Sequence, residues 1–493
     1  MARVYDGRMR DEIDAAAAAL AGEDADLVAD VDAAPDGPKT AAFFDFDRTV
    51  IADFSFTTYA AELIRRRVVG PVELAEMGAH VLAYQSGREP FEDFFTAAVS
   101  HFAGHTDAEL SSLGERLWRK RLAAKVYPET RALIDAHRRK GHLVALLTSA
   151  TAYQCEAAAA DLGVEHVLCN HVLAEDGVVT GVPREPIMYG VGKFETAERF
   201  AASHDVDLSR SFFYTDGSED IPFLEEVGNP RPTNPDRKLA AHARARGWPV
   251  RSFQSRGRPR PADIVRSGMV AASFAGALAG GLADLALNRD RRGAVSLSTA
   301  LLGDLGTAAA GVEVRTVGEE HLWSHRPAVF IFNHQSNYDA VVICKLLRRD
   351  MTAVGKKELR SNPLIGPAFA FAGVVFIDRG DRSAAIAALQ PVVDTLRNGT
   401  SVVVAPEGTR QLTPRPGPFK KGAFVMAMQA GVPIVPIVLA NTLDVLPKGS
   451  AVVHPGTVDV AVLPPVPTDD WTHADLDERI GEIHAAYCRV LGY

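Results

Sequence analysis

Residues 333–339 read Asn333-His334-Gln335-Ser336-Asn337-Tyr338-Asp339, and residues 406–410 read Pro406-Glu407-Gly408-Thr409-Arg410. The first stretch follows the apolar run Val329-Phe330-Ile331-Phe332 and leads into Asp339-Ala340-Val341-Val342-Ile343. It therefore reads as the turn between a strand and a helix. The second follows Val402-Val403-Val404 in the same way. Val374-Val375-Phe376-Ile377 and Ile434-Val435-Pro436-Ile437-Val438 are further strand-length runs, with helical segments between. Strands alternating with helices predict an α/β domain.

A second constellation, Asp45-Phe46-Asp47-Arg48-Thr49, follows the apolar run Ala41-Ala42-Phe43-Phe44. At 493 residues the chain is too long for one core. With 47% hydrophobic and 23% charged residues it is globular, and a net charge of −9 argues against nucleic acid as partner. The four cysteines are scattered without CxxC spacing, which points to reduced thiols and neither a zinc site nor a disulfide framework. Residues 1–40 hold acids and an alanine run where a signal peptide would place a basic segment and an apolar core, so the cytosolic side is expected.

The organisation expected is as follows. Residues 1–39 form a flexible leader with a helix over about 9–21. Residues 40–255 form the first α/β domain. Its second strand, Leu143–Leu147, lies too far from the first for a simple crossover, so a helical cap is expected over about 54–125. Ser211–Tyr214 is another buried strand, ending at Asp216. Residues 256–266, with several arginines and prolines, read as a basic linker. Residues 267–313 read as two apolar antiparallel helices joined by a charged turn, and residues 314–493 as the second α/β domain.

Each hairpin helix approaches the length needed to span a bilayer, but alanine, glycine and one aspartate apiece (Asp284, Asp304) weaken that reading. Gly276 and Gly280 favour close helix packing. An interfacial hairpin, a soluble helix pair and a true span remain open. The flanking arginines favour the first, through anionic headgroups.

In the first domain the acids suggest phosphoryl chemistry. A carboxylate can attack phosphorus, and a second one two residues on can protonate the leaving alkoxide and then activate water. Crowded carboxylates call for a hard cation and a lysine. Thr148 ends the second strand, Lys193 opens a helix after Gly192, and Asp216 and Asp220 follow the third strand. This ordered set resembles the haloacid dehalogenase-like phosphatases, in the subgroup that contains phosphoserine phosphatase, over about residues 40–255. The resemblance implies a Rossmann-like fold and Asp45 as nucleophile, with Asp47 as general acid/base. It also implies Thr148 and Lys193 on the phosphate and Mg²⁺ among Asp45, Asp47, Asp216 and Asp220. Thr215-Asp216-Gly217-Ser218-Glu219-Asp220 departs from the family's usual Gly-Asp-Ser/Gly but keeps the acid spacing.

In the second domain a neutral imidazole at His334 can take a proton from an alcohol while Asp339 fixes its tautomer. No serine or cysteine motif marks a covalent nucleophile, which favours direct attack on a thioester. Arg379, Arg410, Lys420 and Lys421 suit a phosphate ester. The set resembles the 1-acyl-glycerol-3-phosphate acyltransferases of PlsC type, with the HX4D and EGTR boxes both intact. That implies His334 as base, Asp339 as its partner, and Arg379, Glu407, Gly408, Thr409, Arg410 and Lys421 around the substrate phosphate. The paired apolar helices resemble that family's membrane-docking helices, and the whole layout resembles fused phosphatase–acyltransferase proteins of actinobacterial type.

The reading expected is a bifunctional enzyme of phospholipid synthesis at the cytoplasmic membrane face, peripheral or monotopic. Its co-substrates would be lysophosphatidic acid and acyl-CoA or acyl carrier protein, and its metal Mg²⁺. The alternatives are a first domain that binds phosphate without turnover and an acyl acceptor that is another glycolipid. Self-association is left open.

Overall fold

The computed structural model describes the chain apart from residues 1–3, 6, 21–24, 66–78, 81–82, 84–87, 258, 357–365 and 378–389. It forms two compact units, one of residues 24–258 and one of residues 1–23 with 259–493.

The strands of the first unit are β1 Ala41–Phe44, β2 Leu143–Thr151, β3 His166–Asn170, β4 Val172–Glu175, β5 Val178–Pro183, β6 Phe212–Thr215 and β7 Asn229–Pro232. Five make a parallel sheet in the order β3-β2-β1-β6-β7. All four residues of central β1 are buried, as expected of a parallel strand covered on both faces. Phe43 packs edge-on against Phe200 and Phe223, with ring centroids 5.8 and 5.4 Å apart. β4 and β5 form a separate hairpin through Asp176 and Gly177, both at positive φ as a tight primed turn requires. Between β1 and β2, the described part of the cap contains the helices Ser55–Arg65, Phe91–Ser100 and Asp107–Leu117.

The second unit contains β8 Val312–Val317, β9 Val329–Phe332, β10 Met351–Lys356, β11 Val375–Ile377, β12 Ser401–Val404, β13 Ile434–Leu439 and β14 Gly456–Val462. Their order is β11-β10-β12-β9-β13-β14-β8. The strands from β11 to β13 pair in parallel, and β14 runs antiparallel to β13. β9 thus lies well inside the parallel part, and His334 leaves its carboxyl end.

The hairpin helices are Pro261–Asn288 and Arg291–Ala310. The first begins ahead of residue 267, inside the expected linker. Pro261 suits a first helical turn, and the Asp263 carboxylate accepts from the Arg260 N–H at 3.0 Å. This helix is long and apolar enough to cross a membrane, with mean hydropathy 1.6 over its most apolar window. Only 22% of that window is buried, and Ile264, Val265, Met269 and Leu287 are exposed. The second helix packs on the helix Asp339–Leu347. A Cβ at Gly303 would stand 2.4 Å from the Lys345 backbone, so only glycine permits the approach. Asp304 is neutralised there by Lys345 at 2.6 Å and Arg348 at 2.9 Å.

The expected flexible leader is folded and divided between the units. The helix Gly7–Leu20 buries Ile13 and Ala16 in the same core as Ile483 and Tyr487 of the last helix, Leu476–Val490. The helix Ala25–Asp32 belongs to the other unit, where Asp30 pairs with Arg231 at 2.6 Å and Arg251 at 2.7 Å. The apolar residues that anchor the first helix are spaced among alanines, so the segment reads as low in complexity although one face is a core face.

Candidate active sites

In the first unit Asp45 stands at the carboxyl end of central β1. Its backbone N–H donates to the Tyr214 carbonyl of β6 at 2.9 Å, which continues the ladder one residue past the strand. The register pairs Phe44 with Leu146, so Thr148 lies one step beyond the level of Asp45 on neighbouring β2. Thr148 is buried, and its hydroxyl accepts from the Ala150 N–H at 3.1 Å. Lys193, in the first turn of the helix Val191–His204, is fully buried. Its ammonium lies 3.2 Å from Asp45 Oδ1 and donates to Asp220 Oδ2 at 2.9 Å. Burial opposes that charge, but Asp220 and Asp45 outweigh it and raise the Lys193 pKa.

The acids have different partners. Asp47 accepts from the Ser55 N–H at 2.8 Å and the Ser55 hydroxyl at 3.0 Å, so the first cap helix holds its side chain. Desolvation, with a smaller push from Asp45, raises Asp47 to about 7. Asp216 pairs with Arg48 at 3.2 Å, yet burial and then Asp45 raise it to about 8. Asp220 Oδ2 accepts from Lys193 at 2.9 Å and from the Thr215 hydroxyl, while its buried Oδ1 carries no hydrogen bond. Among the described residues no three acidic, histidine or cysteine side chains converge as a metal cluster. The donor set still suits a hard cation, because it is all oxygen and the buried Asp45 Oδ1 carries no hydrogen bond.

The second site is more tightly bonded. His334 Nδ1 lies 2.7 Å from Asp339 Oδ2. The same oxygen accepts the N–H groups of Gln335 at 2.9 Å and Ser336 at 3.0 Å. Asp339 Oδ1 accepts the Thr442 hydroxyl at 2.5 Å. Asp339 is wholly buried while the His334 side chain keeps 29% of its surface open. The loop is tied to the end of β13: Asn333 donates to the Leu439 carbonyl at 2.8 Å and accepts from its N–H at 2.7 Å, and Gln335 also donates to that carbonyl.

Two expected phosphate contacts are employed elsewhere. Glu407 accepts the N–H of His334 at 2.7 Å with one oxygen and the N–H of Gly417 at 2.7 Å with the other. Burial raises its pKa and these two bonds oppose the rise. These bonds tie the Glu407 side chain to the backbone of the histidine loop. Lys421 is exposed and pairs with Asp477 at 2.7 Å. Gly408 takes positive φ, which turns the chain after Glu407; Thr409 is exposed, and the Arg410 carbonyl accepts from Lys448 at 2.6 Å. Arg410 makes no ion pair among the described residues, and Arg379 lies outside them. Thr442 and Asn333 were not expected: Thr442 is remote in sequence, and Asn333 is legible only as the residue before the histidine.

Residues 42–225 match the model of the haloacid dehalogenase-like hydrolases and residues 313–440 that of the acyltransferases. A 1-acyl-sn-glycerol-3-phosphate acyltransferase of Limnanthes douglasii is 35% identical over 192 residues, 39% of this chain and 68% of that protein. A phosphoserine phosphatase of Mycobacterium tuberculosis is 32% identical over 257 residues, 51% of this chain and 82% of that protein. The solved structure of PlsC, a 1-acyl-sn-glycerophosphate acyltransferase of Thermotoga maritima, is 24% identical, covering 46% of this chain and 96% of that one at a TM-score of 0.39. The protein is thus a two-domain α/β enzyme. It belongs to the haloacid dehalogenase-like hydrolases through its first unit and to the acyltransferases through its second.

Proposed function

We propose that the chain acylates 1-acyl-glycerol-3-phosphate to phosphatidic acid and separately hydrolyses a phosphomonoester. The observation that carries the first activity is the His334–Asp339 contact at 2.7 Å, with the histidine open and the aspartate buried. The acceptor hydroxyl gives its proton to His334 Nε2 as its oxygen attacks the thioester carbonyl of acyl-CoA or acyl carrier protein. Asp339 holds Nδ1–H and steadies the imidazolium. The thiolate leaves and recovers the proton as a thiol. Arg410, Gly408 and Thr409 are placed at the acceptor phosphate, with Arg379 from its motif; Glu407 positions the histidine loop.

In the first unit Asp45 forms the new bond to phosphorus while the ester bond breaks and Asp47 protonates the departing alkoxide. Asp47 then takes a proton from the water that releases phosphate from Asp45. Lys193 and Thr148 hold phosphate oxygens. Mg²⁺ fits beside Asp45 and Asp216, where it would neutralise phosphate charge. The exposed apolar face of the helix Pro261–Asn288 and the arginines around it favour docking on an anionic membrane, from the cytoplasmic face.

The purified protein should be given lysophosphatidic acid, oleoyl-CoA and Mg²⁺ and its lipids read by mass spectrometry. Phosphatidic acid is the expected product, followed by diacylglycerol if both sites work on one lipid. No acylated product would overturn the acyltransferase assignment.

A further inference from the structure

Beneath the cap of the first unit lies a partly open cavity of about 50 Å³ that begins at Asp47 and at Ser149 and Thr151 of β2. Away from Asp47 the walls are hydrocarbon: Phe54, Phe56, Phe94, Phe95, Phe102 and Ala98 contribute, from two cap helices and their approaches. Phe56 and Phe94 meet edge-on at 5.4 Å, so these walls support each other. Asp47 and His101 are the acidic and basic side chains among the described lining residues. Tyr59 and Gln154 have their polar groups occupied internally. Tyr59 donates to the Tyr153 carbonyl, and Gln154 donates to Ser55 and accepts from the Thr151 N–H and hydroxyl.

A substrate held with its phosphorus at Asp45 and its leaving oxygen at Asp47 must place its alcohol portion in this cavity. Serine phosphate would bring an ammonium and a carboxylate against phenylalanine rings. Apart from Asp47 and His101 the described lining residues offer no counter-charge, and burying a charge against the rings is costly. Glycerol phosphate would bury hydroxyls against the same walls. An apolar chain would release water from the rings and gain with every methylene enclosed.

We propose that this site takes phosphomonoesters whose alcohol carries an apolar chain directly beyond the ester oxygen, with Phe94 and Phe56 reading the chain. The proposal rests on the phosphatase reading of Asp45 and Asp47 and names its substrate class. Simple alkyl phosphates meet the description directly, whereas lysophosphatidates set a glycerol between the ester oxygen and their chain.

The test is phosphate release by the full chain with Mg²⁺ from n-alkyl phosphates of two to ten carbons, kept below micelle formation. Short-chain lysophosphatidates, glycerol 3-phosphate, O-phosphoserine and p-nitrophenyl phosphate complete the set. kcat/KM should rise about threefold to fourfold per methylene until the cavity is filled. Serine phosphate should fall below every alkyl ester of four carbons or more. Lysophosphatidates faster than alkyl phosphates of equal length would identify the glycerol headgroup as part of the recognised structure; equal rates would identify the chain alone.

Phe94→Ala should flatten the slope. Ala98→Arg, at a partly open wall position, should flatten it even if Phe94→Ala fails to fold. A slope of zero, or a preference for O-phosphoserine, overturns the proposal and leaves the phosphatase standing. Absence of release from every ester, p-nitrophenyl phosphate included, overturns both.

Discussion

Asp339 of the acyltransferase unit accepts four hydrogen bonds, from His334, Gln335, Ser336 and Thr442. In the phosphatase unit, buried oxygens of Asp45 and Asp220 carry no hydrogen bond, while Asp47 and Asp216 are pushed far above the ordinary carboxylate range. Both sites place acids at strand ends, yet one carboxylate is supplied with donors by its own loop and the others crowd with two cations, Lys193 and Arg48. The first arrangement keeps an imidazole in one tautomer and is complete as folded. The second concentrates negative charge where a phosphate must arrive, an arrangement that suits a bound cation. A shared position in the fold therefore does not imply a shared electrostatic strategy.

The contrast can be broken in several ways, the largest effect coming first. Asp45→Asn should reduce phosphate release to background and leave acyl transfer intact; loss of both activities in this variant would mean that the sites are not independent. His334→Ala should lower acyl transfer by about 10²–10⁴-fold, with phosphate release unchanged. A chelator should abolish phosphate release and spare acyl transfer, measured side by side on one preparation; equal sensitivity would remove the distinction between the sites. Glu407→Gln keeps the shape but weakens two backbone bonds to a charged group, so kcat for acyl transfer should fall roughly 10-fold. KM for the acceptor should stay level, whereas a phosphate-binding glutamate would move KM. Lys421→Ala disrupts a surface ion pair and should change stability by less than about 1 kcal/mol, with little effect on KM, in a thermal melt and a rate assay.

Where recognition depends on near neighbours in sequence, the chain was readable. His334 and Asp339 lie five residues apart, the EGTR box follows one strand, and Asp45 and Asp47 follow another, so the ordered motifs and their resemblance to two families joined them. Long-range bonds were not readable. Nothing near Thr442 announces that it completes Asp339, and nothing near Glu407 says that it faces the His334 backbone rather than a phosphate. Nor does anything near Lys421 announce its pairing with Asp477, from another helix, at 2.7 Å. The cap shows the limit of periodicity. Phe91, Phe94 and Phe95 sit at helical spacing and read as core, which Phe91 partly is through its stack on Tyr189 at 4.1 Å. Helical spacing cannot distinguish an apolar face that meets protein from one that lines a cavity.

The helix Gly7–Leu20 shares a core with the last helix, Leu476–Val490, and the entire phosphatase unit is threaded between them. During synthesis, the helix Gly7–Leu20 is made well before the strands and the helix Leu476–Val490 that complete its core. At about 5–20 residues per second that interval is on the order of a minute. The phosphatase unit can close on itself within that time, because its segments are contiguous. The acyltransferase unit must keep an apolar stripe waiting and can finish its core only after Leu476–Val490 has been made. Order of maturation is thus written into the connectivity: the phosphatase unit is able to close first, and the acyltransferase core closes with the helix Leu476–Val490.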